Sequence, residues 1–334
     1  MIPPPPRANP SLFGHEEAAA GLAAAARSGR LHHAWLFCGQ PGIGKATLAY
    51  RFARWLLAGE PRDVEGAPPL HLPEDHPILR RVAAGSHADL MVLEPQSEPG
   101  KRHIIKVEEA RAARNFLNFT AAEGGWRVVV MDEVETMEAA SANTILKTLE
   151  EPPPRTVLLL VTASPGRLLP TIRSRCRRLE MAGLEPETMQ TLLADWLPEK
   201  TRSDREALAV LAEGSPGRAL ELAAGEGVGL ARLAEATLTA LPNSEGAYAL
   251  ADRIGGREAA MAFPAFFTLL LRHLSQAVRD AARGGPAPAW LAARPLAAWV
   301  EASEAVRRLV QDTERLSLDR RQAVLVAMET LRGR

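Results

Sequence analysis

Ala34-Trp-Leu-Phe-Cys38 runs directly into Gly39-Gln-Pro-Gly-Ile-Gly-Lys45-Ala46-Thr47, and the fold follows from reading the two together. Five consecutive apolar residues without alternation predict a strand buried on both faces, as in a parallel sheet. The glycines behind it fit the first seven positions of the G-x-x-x-x-G-K-[ST] phosphate loop, and a helix is expected from about Lys45 to Leu57. Strand, loop and helix in that order suit phosphate. Glycines let backbone amides approach the oxygens, Lys45 reaches the terminal phosphates, and the helix N-terminus presents its positive dipole end. The candidate nucleotide-binding set is therefore Gly39, Gln40, Pro41, Gly42, Ile43, Gly44, Lys45, Ala46 and Thr47. The eighth position departs from the pattern. Ala46 stands where a Ser or Thr hydroxyl would ligand Mg²⁺, and Thr47 is rotated by about 100° around the helix axis from that position. ATP, with Mg²⁺, can still be held by such a loop, but its hydrolysis is expected to be weak or absent.

Further apolar runs at Leu90–Leu93, His103–Val107, Val128–Met131 and Val157–Val161 alternate with helical patterns. This is the signature of an α/β fold with a parallel sheet covered on both sides. The Glu60–His76 stretch, rich in proline, glycine and charge, reads as a surface excursion, and Glu16–Ser28 as an alanine-rich helix. Residues 1–10, with the Pro3–Pro6 run, are expected to be a disordered, polyproline-like tail. After about Met181 the β-branched runs disappear and Ala/Leu/Glu/Arg-rich segments with helical spacing continue to the end. The domain reading is a P-loop domain over 11–183, a small helical domain over 184–240 and an all-helical domain over 245–334.

The 334 residues carry 40 Lys+Arg against 40 Asp+Glu, so no global basic field exists to hold nucleic acid. A hydrophobic fraction of 46% supplies material for real cores. The N-terminus has no apolar signal region and no later stretch reaches ~18 uncharged apolar residues, so a membrane association is not expected and the cytoplasm is. Cys38 and Cys176, the two cysteines, have no Cys-x-x-Cys companion, which excludes a disulfide framework and a cysteine-rich zinc site.

Val128-Val-Val-Met-Asp132-Glu133 is an apolar strand ending in two carboxylates, the form of a Walker-B segment in which Asp132 faces Mg²⁺ and Glu133 polarises a water. The continuation is more specific. The run Asp132-Glu-Val-Glu-Thr-Met-Glu-Ala-Ala-Ser-Ala-Asn143-Thr-Ile-Leu-Lys147-Thr-Leu-Glu-Glu-Pro-Pro-Pro154 closely resembles the same segment of bacterial clamp-loader subunits, the gamma/tau and delta-prime chains of the AAA+ class. Leu168-Leu-Pro-Thr-Ile-Arg-Ser174-Arg175-Cys176 resembles that family's Ser-Arg-Cys motif, and Arg30-Leu-His-His-Ala-Trp-Leu-Phe37 the lead-in to its phosphate loop. The likeness covers roughly residues 10–225.

That resemblance implies an AAA+ P-loop domain, a helical lid and a helical collar. It implies that Thr162 occupies the sensor-1 region and that Arg175 is an arginine finger acting on a neighbouring subunit's ATP. In Glu213-Gly-Ser-Pro-Gly217-Arg218 the motor subunits have an arginine where this chain has Gly217, so Arg218, which the resemblance adds to the nucleotide-binding set, is displaced by one position. Together with Ala46 this favours the delta-prime role over a gamma/tau-type ATPase motor or another AAA+ remodeler. The implied partners are gamma/tau and delta chains in a hetero-oligomer, the sliding clamp, and primer-template DNA reached mainly through the assembly. The implied setting is the DNA-directed DNA polymerase III holoenzyme. Many delta-prime chains carry a four-cysteine zinc module, and the corresponding Glu60–His76 stretch has no cysteine, so zinc is not expected.

Other residues invite plainer readings. His32 and His33 are expected on opposite faces of an extended segment, unable to share a metal. Arg173, Arg177 and Arg178 form a basic cluster with Arg175 that could meet phosphates or partner carboxylates. Cys176 has no nearby His in sequence and reads as packing, as do the scattered tryptophans.

Overall fold

The computed structural model describes residues 3–95, 104–225, 227–241, 243–256 and 262–333. The chain divides into two compact units, the first comprising Met1–Arg205 with Ala212–Arg218 and the second Glu206–Leu211 with Ala219–Arg334.

The first unit is built on five parallel strands, β1 (Ala34–Cys38), β2 (Leu90–Leu93), β3 (Arg127–Met131), β4 (Thr156–Thr162) and β5 (Arg177–Glu180), in the order β2-β3-β4-β1-β5. β1 pairs with β4 from Ala34↔Leu158 to Cys38↔Thr162, and with β5 from Trp35↔Arg177 to Cys38↔Glu180. Every residue of β1, β3 and β4 is buried, because helices cover both faces of the sheet. The two-residue side-chain period sorts them. Trp35, Phe37, Val128, Val130, Leu159 and Val161 pack with α1 (Glu16–Arg27), α2 (Lys45–Leu57) and α3 (Pro77–Ala83). Leu36, Cys38, Val129, Met131, Leu158 and Leu160 pack on the other face with α4 (Val107–Asn118), α5 (Ala139–Glu150) and the short α6 (Pro170–Arg173). The α/β class and its parallel sheet are as expected from the alternation of apolar runs.

Two segments differ from the sequence reading. Of the run 103–107, His103 lies outside the described residues, and Ile105 makes a single parallel bridge to Met137. A helix begins immediately after it because Glu109 accepts the backbone N–H of Lys106 at 2.8 Å, closing the first turn of α4. The proline-rich start holds a 3-10 turn at Pro6–Ala8. Arg54 donates to the carbonyls of Arg7 at 3.2 Å and Asn9 at 2.6 Å, and Arg51 bonds the carbonyl of Pro10. Proline leaves carbonyls without neighbouring donors in its own run, and two buried guanidiniums on α2 supply them. The Glu60–His76 excursion carries no regular element, yet Leu70 and Leu72 are buried and Pro69 accepts from Arg51 at 2.8 Å.

Beyond β5 every described element is helical: α7 (Pro186–Trp196), α8 (Arg202–Ala212), α9 (Pro216–Ala224), α10 (Gly227–Thr239), α11 (Ser244–Gly255), α12 (Ala262–Ala282), α13 (Leu296–Leu316) and α14 (Arg320–Arg332). In the second unit α10 packs on α12, and α12, α13 and α14 surround a core of Phe263, Phe266, Phe267, Trp299, Val306 and Met328. No described helix is long and apolar enough to cross a membrane.

Candidate nucleotide site and arginine-bearing turn

The carboxyl ends of the parallel strands meet at one edge of the sheet, where an open α/β sheet holds its ligands. β1 ends at Cys38 and the chain turns through Gly39–Gly44 into α2. Gly44 caps that helix with φ 104°, a left-handed conformation in which a side chain would be strained. Lys45 is 6% exposed and donates to the carbonyls of Gly39 at 2.8 Å and Gln40 at 2.6 Å. An ammonium has three N–H groups, so one remains for a phosphate oxygen. Burial lowers the pKa of Lys45, while Asp132 and then Glu135 pull it the other way. Ile43 is buried and its carbonyl is held by the ring Nε2 of His15 at 2.8 Å, which fixes the loop from α1's side. Gln40, Pro41 and Gly42 are largely open, and Ala46 and Thr47 are half-buried in the first turn of α2.

At the end of β3, Asp132 accepts the amide of Glu133 at 2.9 Å. Its carboxyl is pushed up to about 6, chiefly by burial and then by the charges of Glu133 and Glu94, with Lys45 and the Glu133 amide opposing. Glu133 is exposed and sits at φ 46°, ψ 48°, a left-handed conformation that costs a non-glycine residue about 1 kcal/mol. Thr162, the last residue of β4, is fully buried and its hydroxyl accepts the Ser164 amide at 3.0 Å. Three further residues join this edge without having been singled out from the sequence. Glu94 accepts from the Tyr50 hydroxyl at 2.8 Å, and Glu135 accepts the Ala163 amide at 2.9 Å. His15 has no motif that marks it, whereas Glu94 stands directly after β2 and Glu135 lies inside the Walker-B run.

The turn that carries Arg218 packs on the loop. Ser215 donates its hydroxyl to the carbonyl of Pro41 at 2.8 Å, and the amide of Gly217 donates to the carbonyl of Gly42 at 2.9 Å. Arg218 itself faces Glu213, 3.9 Å away, and its backbone amide bonds the Ser215 hydroxyl at 3.2 Å. The loop, Lys45, Asp132 and the 213–218 turn are thus brought together.

Arg175 is mounted elsewhere. Its guanidinium contacts Glu150 Oε1 at 2.9 Å and donates to the Thr171 carbonyl at 3.1 Å, so its partners lie on α5 and α6. The Arg175 side chain is 36% exposed while Ile172 and Cys176 on either side are buried in the core. Arg178 pairs with Glu180, and Arg177 lies over the Trp35 ring at 4.9 Å. Burial pushes the Cys176 thiol up to about 12, which makes it an inert packing group. His32 and His33 do not diverge as strand geometry predicts. They precede β1, and their rings stack at 4.4 Å. His32 Nδ1 lies 2.8 Å from the Ala34 carbonyl and His33 Nε2 3.0 Å from that of Leu149. Among the described residues no group of three or more His, Cys, Asp or Glu is arranged to hold a metal ion.

The model of the family described as DNA polymerase III, delta subunit, matches residues 14–185. DNA polymerase III subunit delta' of Pseudomonas aeruginosa is 38% identical over 186 residues, covering 55% of this chain and 53% of that protein. The Escherichia coli protein of the same description is 37% identical over 209 residues, 61% of this chain and 58% of that one. DNA polymerase III subunit tau of Escherichia coli is 32% identical over 221 residues, 65% of this chain and 32% of that one. The chain's match therefore spans little more than half the length of the delta' relatives.

Proposed function

The chain belongs to the DNA polymerase III delta subunit family, and from that premise we propose that it serves as a delta-prime-type subunit of a clamp loader. In this reading it joins gamma/tau and delta chains in a cytoplasmic hetero-oligomer that uses ATP to place the sliding clamp on primer-template DNA for the polymerase III holoenzyme. The helices after β5 act as lid (184–240) and collar (245–334). The chain's own loop, Gly39 to Thr47, holds ATP weakly or without turnover, because Ala46 offers Mg²⁺ no oxygen. Lys45 would contact the terminal phosphates, Asp132 and Glu133 would face the metal and the attacking water, and Thr162 would sit beside them as sensor. Arg218, turned to Glu213, contributes little to that site.

The observation that carries the proposal is the mounting of Arg175. A partly exposed guanidinium on a core-anchored turn, bonded to α5 and α6 and to nothing in its own phosphate loop, is suited to a phosphate on another subunit. Guanidinium is always charged and presents a planar fork, and such fingers contribute about 10³–10⁵ in rate. The experiment is reconstitution with the other loader subunits, clamp and primed DNA. Arg175→Ala should assemble normally and sharply lower stimulated ATPase and clamp loading, and Arg175→Lys should restore little. An alanine variant that loads clamps at the wild-type rate ends this reading.

A gamma/tau-type motor is the second reading, favoured by the tethered Lys45 with a donor to spare beside an intact Asp132-Glu133 pair. Turnover by the isolated chain distinguishes the two.

A further inference from the structure

The arginine of the 170–176 turn does not stand alone. Glu150 is the last residue of α5, where Pro152-Pro-Pro154 prevents the helix from continuing. The residue before it, Leu149, is 2% exposed and shares one core cluster with Ile172 and Cys176, the buried residues flanking Arg175. Both ends of the Glu150–Arg175 pair therefore sit on backbone fixed by the same packing. The turn itself is closed by the amide of Arg175 bonding the Ile172 carbonyl at 3.1 Å and the Ser174 hydroxyl bonding the Thr171 carbonyl at 3.1 Å. The backbone under both stems is already ordered, so only the two side chains are fixed when the 2.9 Å contact forms.

The donor arithmetic gives the contact a direction. A guanidinium carries five N–H groups in a fixed plane. One N–H bonds the Thr171 carbonyl and the Glu150 carboxylate lies against Nη2 as an ion pair, two contacts that orient the fork and leave other N–H groups for an incoming oxyanion. A long, otherwise mobile side chain is thereby held in one orientation before any phosphate arrives, and pre-set geometry is what a transition-state contact requires.

We propose that Glu150 is a positioning residue for Arg175, holding its guanidinium in the orientation presented to a neighbouring subunit's nucleotide. This rests on the reading of Arg175 as a finger in trans. The residue touches no reacting atom and acts through the arginine alone.

The test uses the complete reconstituted loader with clamp and primed DNA, comparing wild type, Glu150→Ala, Glu150→Gln, Arg175→Ala and the double variant. Glu150→Ala should lower the kcat of stimulated ATPase about two- to fivefold, the scale of one well-mounted ion pair, with KM for ATP unchanged. Glu150→Gln keeps the shape but removes the charge that makes the pair, and should recover little of the loss. In the Arg175→Ala background, adding Glu150→Ala should change nothing. A wild-type kcat for Glu150→Ala beside a low kcat for Arg175→Ala overturns the positioning role and leaves the finger standing. An additive loss in the double variant, or a change confined to KM, overturns it equally. A wild-type rate for Arg175→Ala removes the finger reading, and this inference with it.

Discussion

Gly217 donates its backbone N–H to the carbonyl of Gly42 at 2.9 Å, and a Cβ on Gly217 would stand 2.8 Å from the Gly42 Cα. The first turn of α9 thus meets the phosphate loop backbone to backbone, at a distance that only a residue without a side chain permits. Gly217→Ala should force the two segments apart and cost about 1–3 kcal/mol, the usual scale of overpacking. Urea denaturation followed by near-ultraviolet circular dichroism measures it. An unchanged midpoint would mean that the turn yields freely.

Isolated chain should turn over ATP negligibly. Ordinary phosphoryl-transfer enzymes reach ~1 s⁻¹ or more, and a purified sample at that rate would promote the motor reading. Ala46→Ser restores the missing oxygen at the eighth position, and Mg²⁺-dependent binding of a fluorescent ATP analogue should tighten. Equal affinities with and without Mg²⁺ in the serine variant would show that the hydroxyl is not what this site lacks.

Asp132 makes stability depend on pH in an unusual direction. Its folded pKa of about 6 lies above the ordinary carboxylate value of 3.8 because burial disfavours the charge. Between those values the folded chain binds more protons than the unfolded one, so this group's contribution is present below about pH 4 and is lost as pH rises towards 6. Asp132→Asn removes the buried charge and should stabilise the protein at pH 8 by about 1–3 kcal/mol, and by much less at pH 4–5. Thermal melts of both proteins across that range test it. An equal gain at pH 4 and pH 8 would assign the effect to packing instead.

Arg54 is 2% exposed and its pKa falls to about 10, through burial first and then through the charge of Arg51. Its hydrogen bonds go to the carbonyls of Arg7 and Asn9. Arg54→Met keeps the apolar stem while removing both the buried charge and the donors. Global stability should change by no more than about 1 kcal/mol, since lost hydrogen bonds and a relieved desolvation penalty oppose each other. The 3-10 turn at Pro6–Ala8 should loosen, which trypsin reads as faster cleavage after Arg7. Unchanged cleavage would show that the turn holds without Arg54.

Much of the first unit was legible because its signals are local. An apolar pentad before a glycine loop, and runs of Val and Leu bounded by helical spacing, specify buried strands of a parallel sheet. β1, β2 and α2 occupy the spans read from these patterns. The run at 103–107 misled because Ile-Ile-Lys-Val is equally compatible with a strand and with the approach to a capped helix, and the reach of Glu109 back to Lys106 decided for the helix. His32 and His33 misled for a related reason. Period-two geometry holds inside a strand, and both residues precede β1.

Sequence by itself determined the phosphate loop, the loss of its eighth-position hydroxyl, the carboxylate pair ending β3 and the presence of an arginine between Ser174 and Cys176. Each is a matter of residue type at short spacing, where chain connectivity alone fixes the geometry. Only the tertiary structure decided that the proline-rich start docks on Arg51 and Arg54, that Ser215 and Gly217 bond the loop at Pro41 and Gly42, and that Glu150 holds Arg175. Those contacts join residues far apart along the chain. They exist because packing of α2, α5 and the 213–218 turn against the sheet brings the groups within hydrogen-bonding distance, and no local pattern encodes a meeting of that kind.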